Sequence, residues 1–144
     1  MEYQSTIAQP ATISGKGLHS GQQVNLHFKP AAANHGIIFK RTDLPGSPVI
    51  HALVNNVYDT SRGTSLKENE AVVKTVEHLM AALAALCIDN LLIEIDGEEI
   101  PIMDGSAKEF IRIFKEAGTA QQDTEREYIS PDKEIRFSKE ESGI

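Results

Sequence analysis

The sequence predicts an α+β fold, a two-layer sandwich in which a mostly antiparallel sheet carries two helices packed on one face. Three patterns predict it: polar and apolar residues alternate over 22–28, an apolar stripe with helical spacing covers 76–87, and a second such stripe follows Ser106. The chain has 144 residues, of which 40% are hydrophobic and 24% charged. That length suits one compact domain with its own core.

Short strands joined by turns are predicted for the first half of the chain. Val24, Leu26 and Phe28 alternate with polar residues, so we expect these three side chains to face the core. Three glycines within 14–21 predict a tight hairpin turn before that strand. The next predicted elements are a strand at 37–39, a turn at 43–46, a strand at 49–57 and a hairpin with its polar tip at 67–70.

Two helices with a strand between them are predicted for the second half. Thr75 has a side chain suited to an N-cap, and the apolar stripe after it places Cys87 in the core. The run 91–95 predicts a strand. The second helix is expected to begin at a capping box, in which Ser106 and Glu109 bond each other's backbone, and to end at Gly118.

A change of composition near residue 120 predicts a domain boundary. Seven of the 21 acidic residues lie in the last 26 positions, in a stretch also rich in glutamine. We therefore predict a first αβ domain over 1–120. Residues 121–144 are interpreted as a linker and the opening strands of a truncated second domain, at 128–129 and 135–137.

Charge and cysteine content exclude several classes of function. The net charge of −7 argues against nucleic acid or an anionic membrane surface as a partner. The longest apolar run, 79–88, has ten residues and is too short for a membrane span. Cys87 is the single cysteine, so no intrachain disulfide can form, and a cytoplasmic location is expected.

Glu77 and His78 form the most informative pair for chemistry. The positive end of a helix dipole favours a carboxylate and a neutral imidazole, and the neutral imidazole is the form that binds metal. A carboxylate beside a metal-binding histidine suits metal-assisted hydrolysis. Position 82 is alanine, however, so the second histidine of an HExxH motif is absent. From these residues alone, a surface or capping role for His78 stays open.

Two other side chains are candidates for contact with a ligand. His19 lies in the glycine-rich turn, where the simpler interpretation is a turn residue that bonds the backbone. Arg62 lies in a predicted loop and could bind an anion or simply be solvated. No arrangement of Ser, His and Asp, or of Cys and His, is supported by spacing, so covalent catalysis is not predicted.

Five segments together resemble UDP-3-O-acyl-N-acetylglucosamine deacetylases, the zinc amidases of lipid A biosynthesis. They occur in the family's order within about residues 3–118. The segments are GKGLHSG at 15–21, FKRTDL at 39–44, TVEHLMAALA at 75–84, CIDN at 87–90 and EIPIMDGSA at 99–107.

The resemblance implies roles for particular residues. It implies that His78 is one ligand of a catalytic Zn²⁺ and that Glu77 is the general base. The remaining metal ligands and a second catalytic histidine would belong to the protein's own C-terminal domain, outside this chain. The residues expected to line the substrate cleft are Leu18, His19, Ser61, Arg62, Gly63 and Thr64.

The function expected from this resemblance is that of a cytoplasmic hydrolase of lipopolysaccharide synthesis. It would remove the acetyl group from a UDP-linked acylated amino sugar. The chain alone would be inactive and would bind zinc weakly, because it supplies one ligand of the three that a catalytic site normally has. The alternative is a stand-alone, non-catalytic αβ binding or interaction module in which Glu77 and His78 only begin a helix.

Overall fold

The computed structural model describes residues 2–136, 138–139 and 142–143. The strands are β1 (Tyr3–Ile7), β2 (Ala11–Lys16), β3 (Gln23–Pro30), β4 (Ile37–Arg41), β5 (Val49–His51), β6 (Val57–Asp59), β7 (Ser65–Glu68), β8 (Ala71–Val73), β9 (Leu91–Ile95), β10 (Thr119–Glu125), β11 (Ser138–Lys139) and β12 (Ser142–Gly143). The helices are α1 (Glu77–Ala85) and α2 (Lys108–Ala117), with a 3₁₀ turn at Val54–Asn56.

A five-stranded sheet forms the centre of the molecule, in the order β2-β3-β9-β4-β5. All its pairs are antiparallel except β4 with β9, which is parallel. The register places Leu26 opposite Ile95 and Phe28 opposite Ile93. Because residues directly opposite share a face, these apolar side chains form one continuous surface. The predicted mostly antiparallel α+β sandwich is confirmed.

The apolar face of this sheet is covered by the helices. Val24, Leu26 and Phe28 are all buried there, as the alternation predicts. The Phe28 ring meets Phe114 and Phe110 edge to face, with centroid distances of 4.9 and 6.4 Å. Buried side chains of α1 join the same core. Among the described residues, neither helix has the length and apolar composition required to cross a bilayer.

Three smaller sheets accompany the central one in the described residues. Strands β6, β7 and β8 form an antiparallel sheet that includes the predicted hairpin. Strand β10 pairs antiparallel with β1, so residues 121–125 are strand where a linker was expected. No strand is formed at 128–129 or 135–136, and Phe137 lies outside the described residues. The short strands β11 and β12 pair with each other further along the chain.

The prediction of one strand over 49–57 is wrong. The chain leaves β5 after His51, makes the 3₁₀ turn, and only then enters β6. At the break the Asn56 amide donates to the His51 carbonyl at 2.9 Å and to the Glu68 carboxylate at 3.2 Å. Side-chain bonds of this kind offer the backbone an alternative to a continuous ladder.

The predicted start and end of the first helix also need correction. Thr75 is not its N-cap: it has a φ of 60°, and its hydroxyl donates to Glu99 instead of accepting from the helix backbone. The helix itself begins at Glu77 and ends at Ala85. Cys87 therefore lies beyond the helical stripe, and its side chain is exposed and not part of the core as predicted.

The second helix begins differently from the predicted capping box but ends as predicted. The Ser106 hydroxyl accepts from the Lys108 N–H at 3.1 Å, but the residue directly before the helix is Ala107, which makes no side-chain capping bond. Glu109 pairs with Arg112 at 3.0 Å and does not bond the backbone before the helix. Gly118, with a φ of 70°, terminates the helix.

A buried guanidinium joins the central sheet to the β6-β7-β8 sheet. Arg41 donates two hydrogen bonds to the Asp43 carboxylate, at 2.9 and 2.7 Å, and a third to the Val72 carbonyl. The bonds from Arg41 outweigh partial burial and lower the pKa of Asp43 below its usual value of 3.8. This interaction stabilises the fold only while Asp43 is ionised.

We expect Asp43→Asn to reduce the loss of stability in acid. A lowered pKa in the folded state contributes stability above the unfolded pKa and loses it as pH falls through the folded pKa, here below about pH 4. Urea unfolding midpoints measured from pH 6 to pH 2.5 should therefore fall less steeply for the variant than for the original chain. The control is Asp123→Asn, because Asp123 is an exposed residue of β10. An equal acid slope in Asp43→Asn and the unmodified chain would contradict this assignment.

Candidate functional site

Four of the six predicted cleft residues lie together in the structure. A cleft of about 240 Å³ separates the glycine-rich turn after β2 from the loop between β6 and β7. His19 lines it from the turn. Ser61, Arg62 and Gly63 line it from the loop. Lys74, which was not predicted, also lines it.

The two walls of the cleft touch through one histidine. The Nε2 atom of His19 lies 3.3 Å from the Arg62 carbonyl oxygen. Leu18, next to His19, is 58% exposed, which is high for a large apolar side chain. The turn therefore presents one imidazole to the opposite loop and one aliphatic side chain to solvent.

Glu77 is held at the start of α1 by the loop that lines the cleft. The Thr64 N–H donates to its Oε2 atom at 2.9 Å. Gly63 has a φ of 153°, and a Cβ atom there would lie 3.1 Å from Oε1. Glycine thus lets the loop approach the carboxylate closely. Within the described residues Oε1 accepts no hydrogen bond, so it can accept a proton.

His78 is buried, with 8% of its surface exposed, and no side chain makes a capping hydrogen bond at the start of α1. Its Nε2 atom lies 2.8 Å from the Pro101 carbonyl oxygen, and its ring packs edge to face on Phe110. A carbonyl only accepts, so Nε2 carries the hydrogen. The Nδ1 atom is buried without a hydrogen-bond partner among the described residues. Nδ1 is therefore the ring nitrogen that is left open to a ligand.

This state of His78 fits one ligand of a metal ion. In metal-binding histidines the second ring nitrogen usually donates to a carbonyl or carboxylate, which fixes the tautomer. An orphaned buried nitrogen otherwise costs about 1–3 kcal/mol. No group of three or more His, Cys, Asp or Glu side chains suited to a metal occurs in the described part of the chain. The fit is therefore to a single ligand.

Glu99 is a site residue that the sequence analysis missed. It is 1% exposed and accepts from the N–H groups of His19 and Ser20 at 2.9 and 2.7 Å and from the Thr75 hydroxyl at 3.2 Å. Burial alone would raise the pKa of Glu99, but these bonds outweigh it and lower the pKa below 4.5. The sequence places Glu99 at the start of the EIPIMDGSA segment, but nothing in its neighbours indicates a contact with the turn at 15–21.

Comparison with known proteins supports the resemblance seen in the motifs. The model of the LpxC family, described as UDP-3-O-acyl N-acetylglycosamine deacetylase, matches residues 4–144. A bifunctional enzyme LpxC/FabZ of Porphyromonas gingivalis is 45% identical over 142 residues, covering 99% of this chain and 31% of that protein.

Two relatives named UDP-3-O-acyl-N-acetylglucosamine deacetylase are similarly close. That of Syntrophotalea carbinolica is 47% identical over 135 residues, covering 94% of this chain and 44% of its own length. That of Myxococcus xanthus is 48% identical over 126 residues, covering 88% and 40% respectively. The chain thus spans less than half the length of these relatives. Since the family model covers nearly all of it, the chain belongs to the UDP-3-O-acyl N-acetylglycosamine deacetylase family.

Proposed function

We propose that this chain supplies part of the active site of a deacetylase of lipid A biosynthesis. The substrate would be UDP-3-O-acyl-N-acetylglucosamine, the compound in its relatives' names, and the bond cleaved would be the acetamide. The observation that carries the proposal is the unpaired, buried Nδ1 atom of His78, the residue that follows Glu77 at the start of α1. A helix start with only a structural role would have no need to leave this nitrogen without a partner.

His78 would hold Zn²⁺ through Nδ1. When bound, zinc supplies Lewis acidity, polarising an amide carbonyl oxygen and lowering the pKa of water. The Pro101 carbonyl keeps the other ring nitrogen protonated, so the imidazole presents its lone pair in a fixed direction. The other ligands are proposed to come from the region that the relatives have in addition to the matched segment.

Glu77 would act as the general base of the hydrolysis. In this reaction the water oxygen bonds to the acetyl carbon, the carbon–nitrogen bond breaks, and acetate and a free amine result. Glu77 accepts the water proton at Oε1, and the proton ends on the amine nitrogen. The Thr64 N–H, bound to Oε2, keeps the carboxylate oriented while it does so.

The cleft would hold the UDP-linked substrate. Leu18 offers an apolar contact for an acyl chain, while His19, Ser61 and Arg62 offer polar groups for the sugar and phosphates. We propose the same cleft role for Gly63 and Thr64, because their backbone joins the cleft to Glu77. A reducing, cytoplasmic setting suits the one exposed thiol, Cys87.

The test is an assay of acetate release from UDP-3-O-acyl-N-acetylglucosamine. The protein assayed carries residues 1–144 joined to the additional region its relatives possess. We expect metal-dependent release that a chelator abolishes and zinc restores. A folded, zinc-loaded protein that releases no acetate would overturn the proposal and favour a non-catalytic binding module.

A further inference from the structure

Glu99 is a buried carboxylate without a counter-ion. In the described part of the chain no ion pair involves it, although its neighbour Glu98 pairs with Lys74 at 2.8 Å. Burying an isolated charge is costly unless hydrogen bonds satisfy it. The Glu99 carboxylate is nevertheless buried next to the cleft, so we expect it to have a role beyond packing.

Three donors from two elements satisfy the Glu99 carboxylate. The His19 N–H and the Thr75 hydroxyl bond Oε1, and the Ser20 N–H bonds Oε2. Gly17 completes the arrangement, because a Cβ atom there would lie only 2.4 Å from Oε2. The glycine-rich turn is therefore wrapped around this carboxylate and has no room for a side chain at 17.

The bonds to Glu99 connect the cleft to the start of α1. Thr75 lies two residues before Glu77 and holds a left-handed backbone, which its bond to Glu99 helps to stabilise. On the other side, His19 carries the ring that meets the Arg62 carbonyl. One wall of the cleft and the segment leading to the proposed general base are thus bonded to the same anion.

We infer that Glu99 is a positioning residue that locks the His19 turn against the start of α1 and so sets the shape of the cleft. It acts through the backbone of His19 and Ser20 and does not itself touch substrate. Its kinetic consequence rests on the proposed function, whereas its effect on the turn does not.

Glu99→Gln is the direct test. Glutamine puts an NH₂ group where one of the backbone N–H donors now points, so one bond is lost and two donors face each other. In hydrogen exchange of the 144-residue chain, the His19 and Ser20 amides should exchange at least about 10-fold faster. The Ile93 amide in central β9 should be unchanged. Glu98→Gln, the exposed neighbour, is the matched control and should alter neither amide.

A second readout separates positioning from catalysis. In the acetate-release assay, KM should rise about 10-fold in Glu99→Gln while kcat stays within about 3-fold, the pattern of lost binding without lost chemistry. If the enzyme assay shows no activity at all but the exchange result holds, the proposed function fails and the inference stands.

Thr75→Ala keeps the inference testable should Glu99→Gln not fold. It removes one donor and leaves the charge in place, so the His19 amide should exchange about 3-fold faster. Unchanged exchange at His19 in folded Glu99→Gln, or in folded Thr75→Ala, would overturn the inference. Equal acceleration at Ile93 would also overturn it, since that result indicates a general loss of stability.

Discussion

Glu77→Gln is expected to lower the turnover of the proposed deacetylase by about 10²- to 10⁴-fold while its zinc content stays the same. Glutamine can still accept the Thr64 N–H, so the loop around the side chain keeps its position. Its amide cannot take a proton from water. The change therefore removes the base and little else.

The measurement for Glu77→Gln combines acetate release with metal analysis of the same sample. Glu70→Gln, at the exposed tip of the β7–β8 hairpin, is the control for loss of one negative charge and should keep full turnover. Near-normal turnover in Glu77→Gln would show that another group acts as the base.

His78→Ala should lose both zinc and turnover. Loss of a residue that hydrogen-bonds a metal ligand typically lowers metal affinity by about 10- to 100-fold. Loss of the ligand itself should therefore lower zinc affinity by more than about 100-fold. The variant also leaves a cavity beside Phe110, which lowers stability. Phe110→Leu is the control: it disturbs the same packing but leaves the Nδ1 lone pair, so it should retain zinc.

Calorimetry with the 144-residue chain gives an independent check on His78. One ligand cannot hold zinc tightly, so the unmodified chain should bind it weakly and His78→Ala should bind it less still. A tight one-to-one complex of the unmodified chain would mean that further ligands lie within it. Zinc retained by the full enzyme after His78→Ala would remove His78 from the ligand set.

Local patterns predict the parts of the fold that depend on neighbouring residues. The alternation over β3 identifies its buried face, and the predicted limits of β9 agree with the structure. The break between β5 and β6 is different in origin. At this break Asn56 bonds Glu68, which lies twelve positions away on another strand. The periodicity of residues 49–57 gives no sign of that contact.

The site shows the same division between local and distant contacts. Motif resemblance indicated Glu77, His78 and the cleft wall, because each lies in a short, distinctive segment. It could not indicate Glu99 as the anion under the His19 turn, since 80 positions separate the two residues. The Pro101 carbonyl, which sets the tautomer of His78, is likewise 23 positions from it.

The pairing of β1 with β10 has a consequence for how this unit can be used in larger proteins. The Arg126 N–H donates to the Glu2 carbonyl at 2.9 Å, so the polypeptide leaves the unit beside the point at which it enters. A module with adjacent entry and exit can be spliced into a host loop, repeated in tandem or circularly permuted without stretching either connection. Sequence joined before residue 2 and after residue 126 would therefore extend from one place on the surface of this unit.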